Sequence, residues 1–252
     1  MDKPALSISV VSHRHGPMVA ALLDDIARVC REPIDVILTL NVDEDSGFIP
    51  RALPFSLEVI RNATPRGFGA NHNAAFRRAR AEHFCVLNPD VRLEGDPFPA
   101  LLDVLKAPEI AVVAPMVRNP RGAIEDSARR FPTPGRLLRK LIGGPLPLDY
   151  TLTEPVIYPD WVAGMAMVFR KDRFAALGGF DQGYFLYYED VDLCARIHSL
   201  GQRVALVTSS VVIHDARRAS RRDLRHALWH LRSVARYFWK ARHGFQESSP
   251  SG

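Results

Sequence analysis

Between Gly178 and Cys194 the chain reads GGFDQGYFLYYEDVDLC, which sets Glu189, Asp190 and Asp192 directly after the aromatic run Tyr184, Phe185, Tyr187 and Tyr188. Carboxylates this close can do acid–base work: one takes a proton from a substrate hydroxyl, and its neighbours set its basicity through their charge. The spacing carries a second meaning. VDLCARIHSLG reads as a helix ending at Gly201, and acids ahead of it would satisfy free backbone N–H groups and the positive end of the helix dipole. In isolation the cluster is equally a helix cap and a catalytic step.

A second set of polar groups falls where strands should end. LSISVVSH, IDVILTLN, LEVIRN, FCVLNPDV and IAVVAPMV read as strands, with helical patterns from Pro17 to Cys30 and over GFGANHNAAFRRARAEH. This alternation implies an α/β fold with a mainly parallel sheet covered on both faces, in which ligands gather beyond the carboxyl ends of the strands. Ser12, His13 and Arg14 follow the first strand, Asn41 and Asp43 the second, Asn88 and Asp90 the fourth, and His214 closes RVALVTSSVVIH. In LNPDV, Pro89 stiffens the turn, and Asp90 is either a turn former or a carboxylate offered to a hard divalent cation. RGFGANHN has Gly67 and Gly69 for close backbone approach to a ligand, Arg66 for a phosphate or base, and Asn71 and Asn73 as amide donors. WVAGMAMVFR resumes a strand, and the Pro- and Gly-rich stretch 118–159 reads as loop and small helix.

At 252 residues, 47% hydrophobic and 24% charged, the chain has ordinary globular composition and ample core. Cys30, Cys85 and Cys194 are far apart and lack metal-ligand spacing, which argues against a disulfide framework or zinc site. No apolar run is long enough to span a bilayer and the N-terminus lacks a signal-peptide layout, so a cytoplasmic location is expected. Charge is uneven. From Arg217 to His243 nine Lys or Arg stand against the single acid Asp223, although the whole chain carries only +5. Leu224, Ala227, Leu228, Leu231, Val234, Ala235 and Phe238 form one helical stripe there, with Trp229, Tyr237 and Trp239 beside it. This is the composition of a helix lying on an anionic membrane surface, or of one packed on its own domain with a solvated basic face. No nucleic-acid motif accompanies the charge, so nucleic acid is not an expected partner.

Taken in order, the strand-end SH, RGFGANHN, LNPDV, WVAGMAMVFR and GFDQGYFLYYEDVDLC resemble the family 2 inverting glycosyltransferases of the GT-A fold, over nearly the whole chain. Within that family the pattern is most similar to bacterial O-antigen rhamnosyltransferases. The resemblance implies transfer of a sugar, L-rhamnose from dTDP-L-rhamnose or else another sugar from a UDP donor, to a lipid-linked saccharide at the inner face of the membrane. It implies Asp190 as the base, with Glu189 and Asp192 orienting acceptor or loop and their charge raising the Asp190 pKa. Ser12, His13, Asn41, Arg66, Gly67, Asn71, Asn88 and Asp90 would line the nucleotide-sugar side. Mg²⁺ or Mn²⁺ would sit on Asp90 and His214, manganese being the readier to accept imidazole. Trp161, Gly164 and Tyr188 would face the sugars. The domain would span 1–215, with 1–117 binding the nucleotide sugar and 118–215 the acceptor, followed by a basic helical extension over 216–243 and a disordered tail over 244–252. The chain departs from the family in having Ser12, His13 and Arg14 after the first strand, Asn41 where an Asp is common, and NPD for a double-Asp motif. A nucleotidyltransferase would share the frame but needs a Gly-rich basic phosphate loop, which SHRHGPM is not.

Overall fold

The computed structural model describes residues 3–143, 147–215 and 224–245. The strands are β1 (Leu6–Ser12), β2 (Ile34–Leu40), β3 (Ser56–Arg61), β4 (His83–Leu87), β5 (Val91–Arg92), β6 (Ile110–Arg118), β7 (Ala128–Arg129), β8 (Val156–Ile157), β9 (Trp161–Val162), β10 (Ala166–Arg170) and β11 (Arg203–His214). The helices are α1 (Gly16–Val29), α2 (Phe68–Phe76), α3 (Phe98–Val104), α4 (Pro134–Gly143), α5 (Lys171–Ala176), α6 (Glu189–Ser199) and α7 (Leu224–His243).

The main sheet runs β3-β2-β1-β4-β10-β6-β11-β5, with β8 also on β11 and a separate β7-β9 ribbon. The long pairings β3-β2-β1-β4 and β6-β11 are parallel, and β10 is the antiparallel strand inserted between β4 and β6. The chain order reverses between β1 and β4, so a crevice opens beyond Ser12 and Leu87, where such sheets hold ligands.

Burial on both faces explains the continuous apolar strands. Along β2, Val36, Leu38 and Leu40 enter one core layer and Ile37 the other, as the two-residue pleat requires. Helix α1 covers the first layer with Val19, Leu22, Leu23 and Ile26, a helical stripe; Pro17 in its first turn has no N–H to leave unpaired. The second layer is built on Phe84, Phe169, Phe174 and Phe180 and is closed by Leu193, Cys194 and Ile197 of α6. Cys85 and Cys194 are buried thiols and Cys30 is half-buried; all three are unbridged.

Three expectations change. WVAGMAMVFR is not one strand: it breaks at Ala163–Met165, so that Val162 pairs with β7 and Ala166 starts β10. The acids do not precede α6 but form its first turn, since the helix begins at Glu189. Helix α7 packs on the domain, but not by the predicted stripe. Ser233, Tyr237 and Lys240 are its buried residues, whereas Leu224, Leu228 and Leu231 are 87%, 48% and 65% exposed. Of the expected disordered tail over 244–252, Phe245 instead packs on the Tyr237 ring at 5.7 Å, while residues 246–252 and the basic residues from Arg217 to Arg222 lie outside the described residues.

Candidate active site

Asp190 sits on the floor of a cavity of about 360 Å³, lined also by Glu189, Tyr188, Trp161, Arg129 and His230. The backbone fixes its carboxylate: Gly164 N–H donates to Oδ2 (3.0 Å) and Val191 N–H to Oδ1 (2.8 Å). Gly164 is therefore part of the site through its amide. A Cβ there would meet the Phe68 ring at 3.3 Å and the Asp190 Cβ at 3.7 Å.

Burial raises the Asp190 pKa above the usual carboxylate range; the amide hydrogen bonds and the nearby Arg129 charge pull against that rise without cancelling it. Glu189 is more deeply buried, its Oε2 has no partner, and burial followed by repulsion from Asp190 lifts it to about 8. Both neighbouring acids are thus held above the usual carboxylate range, with burial the first cause for each. This corrects the expected cause: solvent exclusion, ahead of neighbouring charge, tunes the base.

Asp192 does not reach the cavity. It is fully buried and accepts from Arg196 Nε (2.8 Å), Tyr184 O–H (3.2 Å) and Lys240 Nζ (2.5 Å), so its role is to anchor α6. Trp161 donates its indole N–H to Arg130 O and carries the Arg129 guanidinium 5.5 Å from its ring centre, which leaves an aromatic wall beside the base.

The motif RGFGANHN is committed to the protein and not to a ligand. Asn41 Nδ2 donates to Arg66 O (2.9 Å) and Asn41 Oδ1 accepts from Arg66 N–H (2.8 Å). Asn71 Nδ2 donates to Arg66 O and Gly67 O, and Asn62, which the motif reading passed over, joins the two amides through bonds of 2.9 and 2.7 Å. Asn73 clamps Phe180 through its N–H and C=O. Gly67 and Gly69 are required because a Cβ would meet Phe185 O at 2.7 Å and Phe180 Cβ at 2.5 Å. The glycines thus let this loop seat against FDQGYF, and the Arg66 side chain is what remains exposed at the crevice. Ser12 is buried and its Oγ accepts from His15 N–H (3.1 Å) at the start of α1, while His13 is exposed 3.3 Å from Asn41 Nδ2.

Asn88 N–H donates to Met165 O (2.8 Å), which ties the LNPDV turn to the Gly164 segment that holds Asp190. Beyond it, Asp90 Oδ2 lies 3.2 Å from His214 Nε2, and His214 Nδ1 lies 2.7 Å from Glu125 Oε2. Burial lowers the His214 pKa, but the flanking carboxylates outweigh it and lift the group to about 9. Asp90 Oδ1 is buried without a partner, which suits a hard cation, whereas His214, held as a charged imidazolium between Asp90 and Glu125, would have to give up a proton to become a ligand. Among the described residues no three acidic, His or Cys side chains converge as a complete metal site, so Asp90 and His214 can supply only part of a coordination shell. Glu125 comes from the Pro- and Gly-rich stretch and had no motif to mark it.

A mainly parallel α/β sheet, with Asp190 in a cavity and the Asp90–His214 pair beyond the LNPDV turn, has the GT-A architecture. The Glycosyl transferase family 2 profile matches residues 7–172, and the chain belongs to that family. It is 29% identical to the rhamnosyltransferase WbbL of Escherichia coli K12, over 93% of both chains. It is 27% identical to the N-acetylglucosaminyl-diphospho-decaprenol L-rhamnosyltransferase of Mycobacterium tuberculosis, over 86% of this chain and 78% of that one. Among solved structures it is similar to the mannosyltransferase PcManGT of Pyrobaculum calidifontis in complex with GDP-Man and Mn²⁺, with TM-score 0.65, 16% identity and coverage of 98% and 67%. It is also similar to GalNAc-T7 with UDP, GalNAc and Mn²⁺, with TM-score 0.64, 15% identity and coverage of 86% and 44%. The chain is a glycosyltransferase.

Proposed function

We propose that this glycosyltransferase moves L-rhamnose from dTDP-L-rhamnose to a lipid-linked saccharide during bacterial O-antigen or cell-surface polysaccharide synthesis, with inversion at the anomeric carbon. The observation that carries the reaction is the Asp190 carboxyl group, half-buried in the cavity lining and aimed by two backbone amides. The donor and acceptor classes are supported by the two rhamnosyltransferase relatives, one of which has a diphospho-decaprenol substrate in its name.

An acceptor hydroxyl bound against Trp161 and Tyr188 gives its proton to Asp190 as its oxygen bonds to the anomeric carbon. The bond from that carbon to the diphosphate breaks, and the electron pair leaves on the nucleotide. Arg66 and His13, both exposed, would meet the nucleotide. A divalent cation on Asp90 and His214 would neutralise charge accumulating on the leaving diphosphate.

The protein would work at the inner membrane surface. Among the described residues no helix is long and apolar enough to cross a membrane. Helix α7 instead turns Leu224, Leu228, Leu231 and Trp239 outward, with Arg232 and Arg242 exposed among them, the pattern of an interfacial helix on anionic lipid.

A panel of nucleotide sugars incubated with a GlcNAc-diphospho-lipid analogue tests the reading. Rhamnose transfer is expected, with loss of about a hundredfold or more in Asp190→Asn. Transfer of another sugar alone would overturn the donor assignment, and full turnover by Asp190→Asn would overturn the mechanism.

A further inference from the structure

We infer that helix α7 belongs to the catalytic machinery, with Lys240 and Ser233 as positioning residues that hold the turn before α6 and so keep Asp190 aimed into the cavity. The inference rests on the transferase reading above and assigns work to a helix that lies beyond the matched family region.

The turn needs holding. Tyr187 and Tyr188 both have left-handed backbone, with φ of 71° and 67°, immediately before Glu189 and Asp190. For bulky side chains this conformation costs about 1–2 kcal/mol per residue, and it persists only where the surroundings impose it. The surroundings here are α7. Ser233 Oγ donates to Leu186 O (2.9 Å), Tyr187 O–H and His226 Nδ1 are 2.9 Å apart, and the His230 ring stands edge-on to both tyrosines at 5.6 Å. Tyr237 lies 5.5 Å from the Tyr188 ring.

Below this turn Lys240 is buried, its ammonium 2.9 Å from Asp181 and 2.5 Å from Asp192. A lysine is desolvated at high cost, so burying one requires compensating carboxylates in place. Asp181 precedes the strained turn and Asp192 follows Asp190 by two residues. One ammonium therefore pins both ends of the segment that carries the base. Arg236 doubles the hold on Asp181 (2.8 Å) and Arg196 the hold on Asp192 (2.8 Å). A helix that served only to rest on lipid would gain nothing from a buried lysine on its inner face.

Full-length Lys240→Met and Ser233→Ala test this. Met keeps the chain length of Lys, and both aspartates retain an arginine, so the fold has its remaining ion pairs. In Lys240→Met kcat should fall about tenfold to a hundredfold, as a displacement of roughly 1 Å at the base would give, and in Ser233→Ala by a smaller factor. KM for the nucleotide sugar should stay within about twofold, because Asp90 and His214 are set by elements other than α7. Hydrogen exchange should quicken over residues 184–192 and stay unchanged in the central strands. Unchanged kcat in Lys240→Met, a matching rise in donor KM, or exchange that quickens uniformly across the sheet would each overturn the inference. If the unaltered protein transfers no sugar, the transferase reading fails by itself, and local exchange in the two variants alone decides whether α7 holds the turn.

Discussion

Replacing Leu228 and Leu231 of α7 by serine should release the protein from anionic vesicles without touching its fold. The two side chains are 48% and 65% exposed, together slightly more than one complete leucine. Full burial of a leucine is worth about 1.5–3 kcal/mol, so the pair should contribute about 2–3 kcal/mol to membrane insertion. That corresponds to about a 30- to 150-fold fall in partitioning. Sedimentation with phosphatidylglycerol vesicles measures it directly, and a salt titration separates the part from Arg232 and Arg242, each worth about 1 kcal/mol near an anionic surface at low salt. Thermal unfolding of the double variant should match the unaltered protein, because neither leucine packs inward. A partition change below about threefold, or a fall in Tm of several degrees, would refute the reasoning, since it would mean that lipid is not the partner of this face or that the face supports the fold. Deleting the helix is no substitute: it would remove Tyr237 and Lys240 from the interior and confound membrane binding with unfolding.

Three further outcomes follow from the site. Activity should rise as pH rises through the elevated Asp190 pKa, and in Glu189→Gln this acid limb should stay above the ordinary carboxylate range, because burial is the main cause and Gln mimics the protonated acid. A limb that returns to the ordinary range in a pH–rate profile would assign the shift to Glu189 charge instead. Asp90→Asn should weaken Mn²⁺ binding by about tenfold or more in titration calorimetry, with the empty protein still folded. Gly67→Ala forces a methyl 2.7 Å from Phe185 O and should cost about 1–3 kcal/mol in urea unfolding, whereas Gly135→Ala, with nothing within 4 Å of its Cβ, should change stability by less than about 0.5 kcal/mol.

The strands and the site edge were legible in the sequence because both rest on short-range rules. Continuous β-branched runs mark strands buried on two faces, and polar residues at their ends fall at one edge by topology alone. Asp90 was placed that way, whereas Asp190 came from the acidic step after the tyrosines and Gly164 from the family resemblance alone. The roles of Asn41, Asn71 and Asn73 were not, because an amide that staples a loop and one that binds a nucleotide are the same residue in the same place. Only the partner distinguishes them, and here the partners are Arg66, Gly67 and Phe180. Glu125 and Lys240 were hidden for a related reason. Each acts through a residue far away in the chain, His214 and Asp181, and neither stands in a motif.

Helix α7 inverts the usual rule for reading amphipathicity, and the inversion is informative. A periodic apolar stripe is ordinarily the inner face, since burial is where leucine gains most. Here the inner face carries Ser233, Tyr237 and Lys240, and it is held by ion pairs and ring contacts to the 181–192 segment. Such a face gives orientation at the expense of hydrophobic stabilisation, which is what a turn with two left-handed tyrosines requires. The leucines are then left for a second apolar medium. The same cavity that α7 borders through His230 is bordered across its mouth by Arg136 and Leu137 of α4, whose next residue, Leu138, is 57% exposed. With basic, leucine-bearing helices on two sides of the opening, a saccharide tethered to a membrane lipid would be concentrated at the base by confinement to the same surface.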